Sequence, residues 1–272
     1  MTRILQLTDL HIIARGELAY GVVDTPTYLE RAVKHIENLL PKIGGVDAIV
    51  ITGDLTDRGL PSEYELLKSL MKPLDIPLSI LPGNHDERAA MRDAYPDQPW
   101  CLTSEMLNSH LKVGGVHLLA LDCVVAGKSH GFLNPQTEEW LRSHLAKLAD
   151  QPVIIAMHQP PFLTGIDHMD AQPLRNPERL FEVVSVHKAA HMIVCGHVHR
   201  YMSCHHTWGP VMIGPSVAHA VSLDVSHNAR PEFVMEPGGF LLHSYNDVLH
   251  QFTSQYVPVG PFEGPYPFFA DS

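Results

Sequence analysis

Five short polar clusters carry the residue types that could do chemistry: Asp9-Leu10-His11, Gly53-Asp54, Gly83-Asn84-His85-Asp86, Met157-His158 and Gly196-His197-Val198-His199. Together they offer carboxylate oxygens, one amide oxygen and several imidazole nitrogens, and no thiolate. Such a set suits a pair of hard-to-borderline divalent ions (manganese, iron, zinc or cobalt) rather than copper(I) or structural zinc. Asp54 is charged and has two oxygens, so one carboxylate can bridge two ions. Asn84 supplies a neutral oxygen where a third carboxylate would over-neutralise the site. Gly53, Gly83 and Gly196 are expected to let the backbone turn sharply away from a preceding strand.

Each cluster follows a short apolar run, and those runs are what must position it. Strands are predicted over 4–8, 48–52, 78–81, 116–121, 153–157 and 192–195, several rich in Val, Ile and Leu without alternation, as strands covered on both faces require. Helices fall between them. Pro26 opens one in which Leu29, Val33, Ile36 and Leu40 share a face. Ser62-Glu63-Tyr64-Glu65 reads as a capping box, and Asn134-Pro135 and Asn176-Pro177 pair an N-cap residue with a first-turn proline. The alternation is that of an α/β protein, and in an open α/β sheet the carboxyl ends of the strands share the edge where ligands bind. After about residue 200, strands are expected over 211–213, 217–225, 240–245 and 248–256, the last two joined as a hairpin near Asn246-Asp247, followed by a Pro- and aromatic-rich tail. The division is a core over 1–200 and a second part over 201–272, holding the remaining core strands, a β extension and the tail.

The 272 residues carry 19 Lys+Arg against 30 Asp+Glu, a formal net charge of −11, which argues against long nucleic acid as a partner. A small phosphate ester is not excluded, because a bound cation reverses the local field. With 45% apolar residues the chain can bury a large core. No run is long enough to span a membrane, and Met1-Thr2-Arg3 leads into an apolar stretch too short for a signal peptide. Cys101, Cys123, Cys195 and Cys204 form no CxxC pair; Cys123 and Cys195 end apolar runs and read as buried thiols of a reducing compartment, so a cytoplasmic protein is expected. Fingerprints for dinucleotides, nucleoside triphosphates and a nucleophilic serine (GxGxxG, GxxxxGK[ST], GxSxG) are absent.

The five clusters, in this order, resemble the D-x-H, GD, GNH[D/E], H and GHxH pattern of the calcineurin-like metallophosphoesterases, over residues 3 to 220. Within that superfamily the chain is similar to the bacterial branch of glycerophosphodiesterases and class III cyclic-nucleotide phosphodiesterases; Arg15-Gly16-Glu17, Tyr20-Gly21, Asp24 and Met169-Asp170 resemble the former. The resemblance implies a four-layer α/β/β/α sandwich with a small C-terminal β-rich cap or dimerisation extension, and a homodimer or larger homo-oligomer. It implies one metal held by Asp9, His11, Asp54 and His199, and a second by Asp54, Asn84, His158 and His197. It implies hydrolysis of small phosphodiesters by a metal-bound hydroxide. Asn84 and His85 would be catalytic, His85 serving the leaving oxygen, and Asn84, His85 and His219 would contact substrate, the alternative for His219 being a histidine that merely ends a strand. Gln159 departs from relatives that carry a second His at that place. A phosphomonoesterase, a nuclease or a non-catalytic scaffold of the same fold are the alternatives.

Three further expectations concern side chains around the clusters. Asp86 orients His85 or caps a helix. Asp57-Arg58 ties its loop by an ion pair or contacts substrate. His117, His187, His191, His205, His206, His243 and His250 are structural or solvated histidines.

Overall fold

In chain order the first half holds β1 (Thr2–Leu7), α1 (Thr25–Ile43), β2 (Ala48–Thr52), α2 (Pro61–Met71), β3 (Leu78–Leu81), α3 (Arg88–Ala94), β4 (Ser109–Val113) and β5 (Val116–Ala120). The second holds α4 (Pro135–Lys147), β6 (Val153–Ala156), α5 (Asp167–Asp170), α6 (Pro177–Val184), β7 (His191–Cys195), β8 (Met202–His206), β9 (Gly209–Ile213), β10 (Ala220–Val221), β11 (Phe233–Val234), β12 (Gly239–Asn246) and β13 (Gln251–Pro258). This computed structural model describes residues 1–100 and 105–269; Cys101 and the last three residues of the tail lie outside them.

Two sheets form, ordered β13-β12-β1-β2-β3 and β4-β5-β6-β7-β9-β8, with β10-β11 as a separate ribbon. Strands β1, β2 and β3 run parallel, as do β5, β6, β7 and β9, while β4, β8, β12 and β13 join antiparallel. The unbroken apolar runs are explained by cover on both faces. Leu5 and Leu7 of β1 and Ile49 and Ile51 of β2 pack with Leu29, Val33 and Ile36 of α1 and Leu67 and Leu70 of α2. One residue out of phase, Ile4, Ala48 and Val50 pack with Leu118, Ala120, Ile154, Ala156, Met192 and Val194 of the second sheet. Leu119, Ile155 and Ile193 then meet Leu141 and Leu145 of α4 and Leu180 and Val183 of α6. Period-2 alternation thus builds four layers, helix–sheet–sheet–helix, as expected from the resemblance.

Gln6 makes a buried polar tie between the sheets. Gln6 of β1 donates from Nε2 to the Cys195 carbonyl (2.7 Å) and to Thr52 Oγ1 (3.0 Å), leaving its Oε1 to accept from His243 Nε2 (3.1 Å).

Local signals hold with shifts of a residue or two. Asp24 caps α1, accepting from the Thr27 N–H, and Gly44 ends it in the left-handed conformation. Helix α2 begins at Pro61, so the capping residue is Leu60 rather than Ser62; buried Glu63 accepts from the Leu60 and Arg58 N–H groups. Asn134 caps α4 as expected. Asn176 instead spends its amide on both main-chain groups of Leu133. Of the 217–225 strand, only Ala220–Val221 forms a ladder. The hairpin exists, but Val248 and Leu249 lie in its turn, where Asn246 Oδ1 accepts from both of their N–H groups.

Candidate metal centre

All five clusters leave the carboxyl ends of parallel strands (β1, β2, β3, β6 and β7) on the same edge, and the two sheets bring those edges together. The turns bind one another directly. Asp9 N–H donates to the Gly53 carbonyl, His11 N–H to the Asp54 carbonyl, and Gly196 N–H to the His158 carbonyl. Asp9's carboxylate accepts from His197 N–H (2.9 Å), and Asp54 Oδ1 from His85 N–H (2.9 Å).

This mutual bonding sustains an unusual backbone. Asp9, His11, Asp54, His197 and His199 all have positive φ, between 43° and 74°. Asp and His tolerate that region better than most side chains, but each instance still costs roughly 1–3 kcal/mol. Strain of that kind persists where the surroundings over-determine it, which in this chain is the point of convergence of the five clusters.

Two of the resulting donor nests share Asp54. Asp9, His11, Asp54 and His199 form one and Asp54, His158 and His197 the other, the donor atoms within each lying no more than 4.8 Å apart, and His11, Asp57 and His85 make a third group beside them. Asp54 belongs to both: its Oδ2 is 3.5 Å from His11 Nε2 and 3.3 Å from His158 Nε2. Asn84 Oδ1 stands 3.2 Å from His158 Nε2. The His85 ring lies 4.6 Å from that of His11, and the His219 ring 4.5 Å from that of His199. Every site residue expected from the sequence therefore lies in this one cluster.

The electrostatics suit cations. Burial works against the Asp54 charge, but His158 and His11 outweigh it and hold the carboxyl well below its usual range. Burial and the neighbouring His158 push His197 down to about 3, and burial with His219 drives His199 well below the ordinary imidazole value. His158 and His11 go the other way: against burial, Asp54 pushes His158 up to about 9 and the Asp57 and Asp54 carboxylates raise His11, so a cation bound among these donors takes the place of protons. Burial raises Asp9, with Asp54 adding to it against the pull of His158. Buried carboxylates and imidazoles at these separations are compensated when cations share them, so the donor set fits a divalent metal centre.

A family model described as calcineurin-like phosphoesterase matches residues 2–201. The chain belongs to that family. It is 35% identical to a probable glycerophosphodiester phosphodiesterase of Arcobacter nitrofigilis over 98% of this chain and 96% of that one. A 3′,5′-cyclic adenosine monophosphate phosphodiesterase of Pseudomonas aeruginosa is 29% identical over 72% of this chain and 69% of its own. A crystal structure of a dimetal phosphatase from Danio rerio superposes with a TM-score of 0.68 at 12% identity, covering 95% of this chain and 98% of that one. Family and cluster together point to a divalent metal centre in this phosphoesterase.

Some parts of the centre were not legible in the sequence. Asp57 Oδ1 lies 3.3 Å from His11 Nδ1, and His85 Nδ1 donates to the Asp57 carbonyl at 2.8 Å, so one residue fixes two imidazoles. A carboxylate orienting a ligating histidine is a recurrent device, which makes the Asp three residues after Asp54 the place to look. Arg58 pairs with Glu63 and Glu17 (2.8 Å each), tying its loop to the segment after β1. Asp86 does not orient His85; it accepts from the Leu55, Thr56 and Gly83 N–H groups and from the Tyr64 hydroxyl, locking the β2 and β3 turns together. Gln159 donates from Nε2 to the Ser129 carbonyl and toward Asn84 Oδ1 (3.4 Å). Tyr20 and Phe233 flank His219, each with ring centroids 5.3–5.4 Å from it.

The glycines divide by cause. Gly53 has φ +91°, as a sharp turn requires. Gly83 and Gly196 do not lie in the left-handed region: a Cβ on Gly83 would collide with the Asp54 carboxylate and main-chain nitrogen, and one on Gly196 with Thr8 and the Thr52 carbonyl. Their role is close approach rather than turning.

Proposed function

We propose that this phosphoesterase hydrolyses small phosphodiesters, of glycerophosphodiester or 3′,5′-cyclic-nucleotide type, at a binuclear centre held by Asp9, His11, Asp54, Asn84, His158, His197 and His199. The observation that carries this reading is the position of Asp54, whose single carboxylate oxygen faces an imidazole of each nest at 3.3–3.5 Å. The names of the relatives in glycerophosphodiester and cyclic-nucleotide hydrolysis support the ester class.

Held by these residues, two divalent ions would supply a water nucleophile active at neutral pH and a charge clamp for the phosphoryl oxygens. The donor set favours manganese, iron, zinc or cobalt for that pair. The chain's own residues do the remaining work. Asp57 holds His11 in one orientation through Nδ1. His85 donates its Nδ1–H to the Asp57 carbonyl, so its proton for the leaving oxygen must come from Nε2 of the imidazolium form. Asn84, beside both His158 and Gln159, presents its amide to the phosphate. His219, between Tyr20 and the His199 ring, walls the site on the side of the segment after β1.

The late strands and the exposed Phe262, Tyr266 and Phe268 support self-association as a homodimer or larger homo-oligomer. Free, buried Cys123 and Cys195 support a reducing, cytoplasmic setting. Among the described residues no helix is long and apolar enough to cross a membrane.

The test is kcat/KM for glycerophosphoethanolamine, cyclic AMP and p-nitrophenyl phosphate with enzyme reconstituted separately with manganese, iron, zinc and cobalt. A preference for either diester over the monoester supports the reading; a preference for the monoester overturns it.

A further inference from the structure

Strand β7 carries His197 and His199 beyond its carboxyl end, and at its opposite end a second set of imidazoles gathers. A cavity of about 760 Å³ lies there, lined by His187, His191, Trp208 and His250 among others. The five residues of β7 separate it from the metal centre by about 16 Å, at roughly 3.3 Å per residue.

His187 and His191 are more than nine-tenths buried, at 7% and 9% exposure. His187 Nε2 donates to the Gln151 carbonyl at 3.0 Å, and His191 Nδ1 to the Ala189 carbonyl at 2.9 Å. Those bonds fix both tautomers, leaving a bare lone pair on His187 Nδ1 and on His191 Nε2. Neither of these buried nitrogens has a hydrogen-bond partner among the described residues. An imidazole whose N–H is held by a carbonyl while its other nitrogen stays bare is oriented as a metal ligand is.

The spacing of the rings agrees. Their centroids are 5.3 Å apart at an interplanar angle of 76°. A tetrahedral ion about 2.0–2.1 Å from each nitrogen sets two imidazole centroids roughly 5 Å apart. Trp208 lies parallel to the His191 ring, at 6.0 Å and 10°, and restricts its rotation.

We propose that His187 and His191 together ligate one divalent transition-metal ion, separate from the binuclear centre. Two nitrogen donors select zinc, cobalt or nickel over magnesium or calcium. Water completes the coordination, since among the described residues no third His, Cys, Asp or Glu donor lies within 4.8 Å of both nitrogens. The ion braces the segment after α6 against the first residue of β7, so its role is structural.

Crystals of the full chain soaked in zinc, measured at the zinc absorption edge, test this directly. The expected result is an anomalous peak within ligand distance of His187 Nδ1 and His191 Nε2, besides any density at Asp54. Peaks at Asp54 with none between these two histidines overturn the proposal. In solution, the unmodified protein is expected to retain one more zinc equivalent after dialysis than H187Q or H191Q, with diester hydrolysis unchanged. Equal retention also overturns it. If a variant fails to fold, the soaked crystals of the unmodified chain still decide.

Discussion

His11 and His199 face each other Nε2 to Nε2 at 3.2 Å, and Asp54 Oδ2 stands 3.5 Å from that same His11 nitrogen. The Asp57 carboxylate occupies the opposite nitrogen of His11, which leaves its Nε2 lone pair aimed at the nest. Removing the carboxylate frees the ring. Asp57→Ala is therefore expected to weaken metal binding by about 10–100-fold with the fold retained. Competition with a chelator measures it, and an unchanged affinity would show that Asp57 does not orient His11.

Gly83→Ala places a methyl group against the Asp54 carboxylate and backbone. The turn has no room to yield, since His85 N–H and Asp86 both bind into it. Loss of metal and activity is expected together with destabilisation of about 1–3 kcal/mol. Thermal melting and metal content read the two effects separately.

Asp86 is a tie rather than a reacting group, so its loss is expected first in stability. Asp86→Ala leaves the Leu55, Thr56 and Gly83 N–H groups without their acceptor, at about 1–3 kcal/mol for each donor that stays buried and unpaired. Denaturant unfolding checks this: a variant as stable as the parent would show that water replaces the carboxylate.

His243, buried between the sheets, is pushed down to about 4 by burial. Its imidazole stays neutral in the folded chain while the unfolded chain takes up a proton near pH 6.5. Between those values the unfolded state binds more protons, so stability is full above pH 6.5 and falls as the pH drops toward 4, by on the order of 3 kcal/mol. Unfolding free energies across pH 4–7 should show this slope, and His243→Gln should flatten it. A parent and variant with the same slope would place the titration elsewhere.

What was legible in the sequence follows from burial. The central strands and their polar ends stood out because strands covered on both faces must be apolar throughout, and donors must then begin where the strand stops. The edge strands β4 and β8 did not stand out: Ser109–Val113 and Met202–His206 each have one open side and mix polar with apolar residues. The 217–225 segment misled in the other direction. Val217 and Ala218 are buried among the site turns, with Ser216 Oγ donating to the Asp9 carbonyl, so their apolar character serves packing without a ladder. Within the site, the donors were readable as a pattern of types. Asp57, Asp86 and Gln159 were not, because what they bind is set by how two turns distant in the chain come together.

The sharing of Asp54 is the central claim, and anomalous diffraction from manganese-grown crystals tests it most directly. Two peaks are predicted, one on each side of the Asp54 carboxylate, with both lost in Asp54→Ala crystals. A single peak, or two peaks of which one survives that substitution, would contradict a carboxylate held in common.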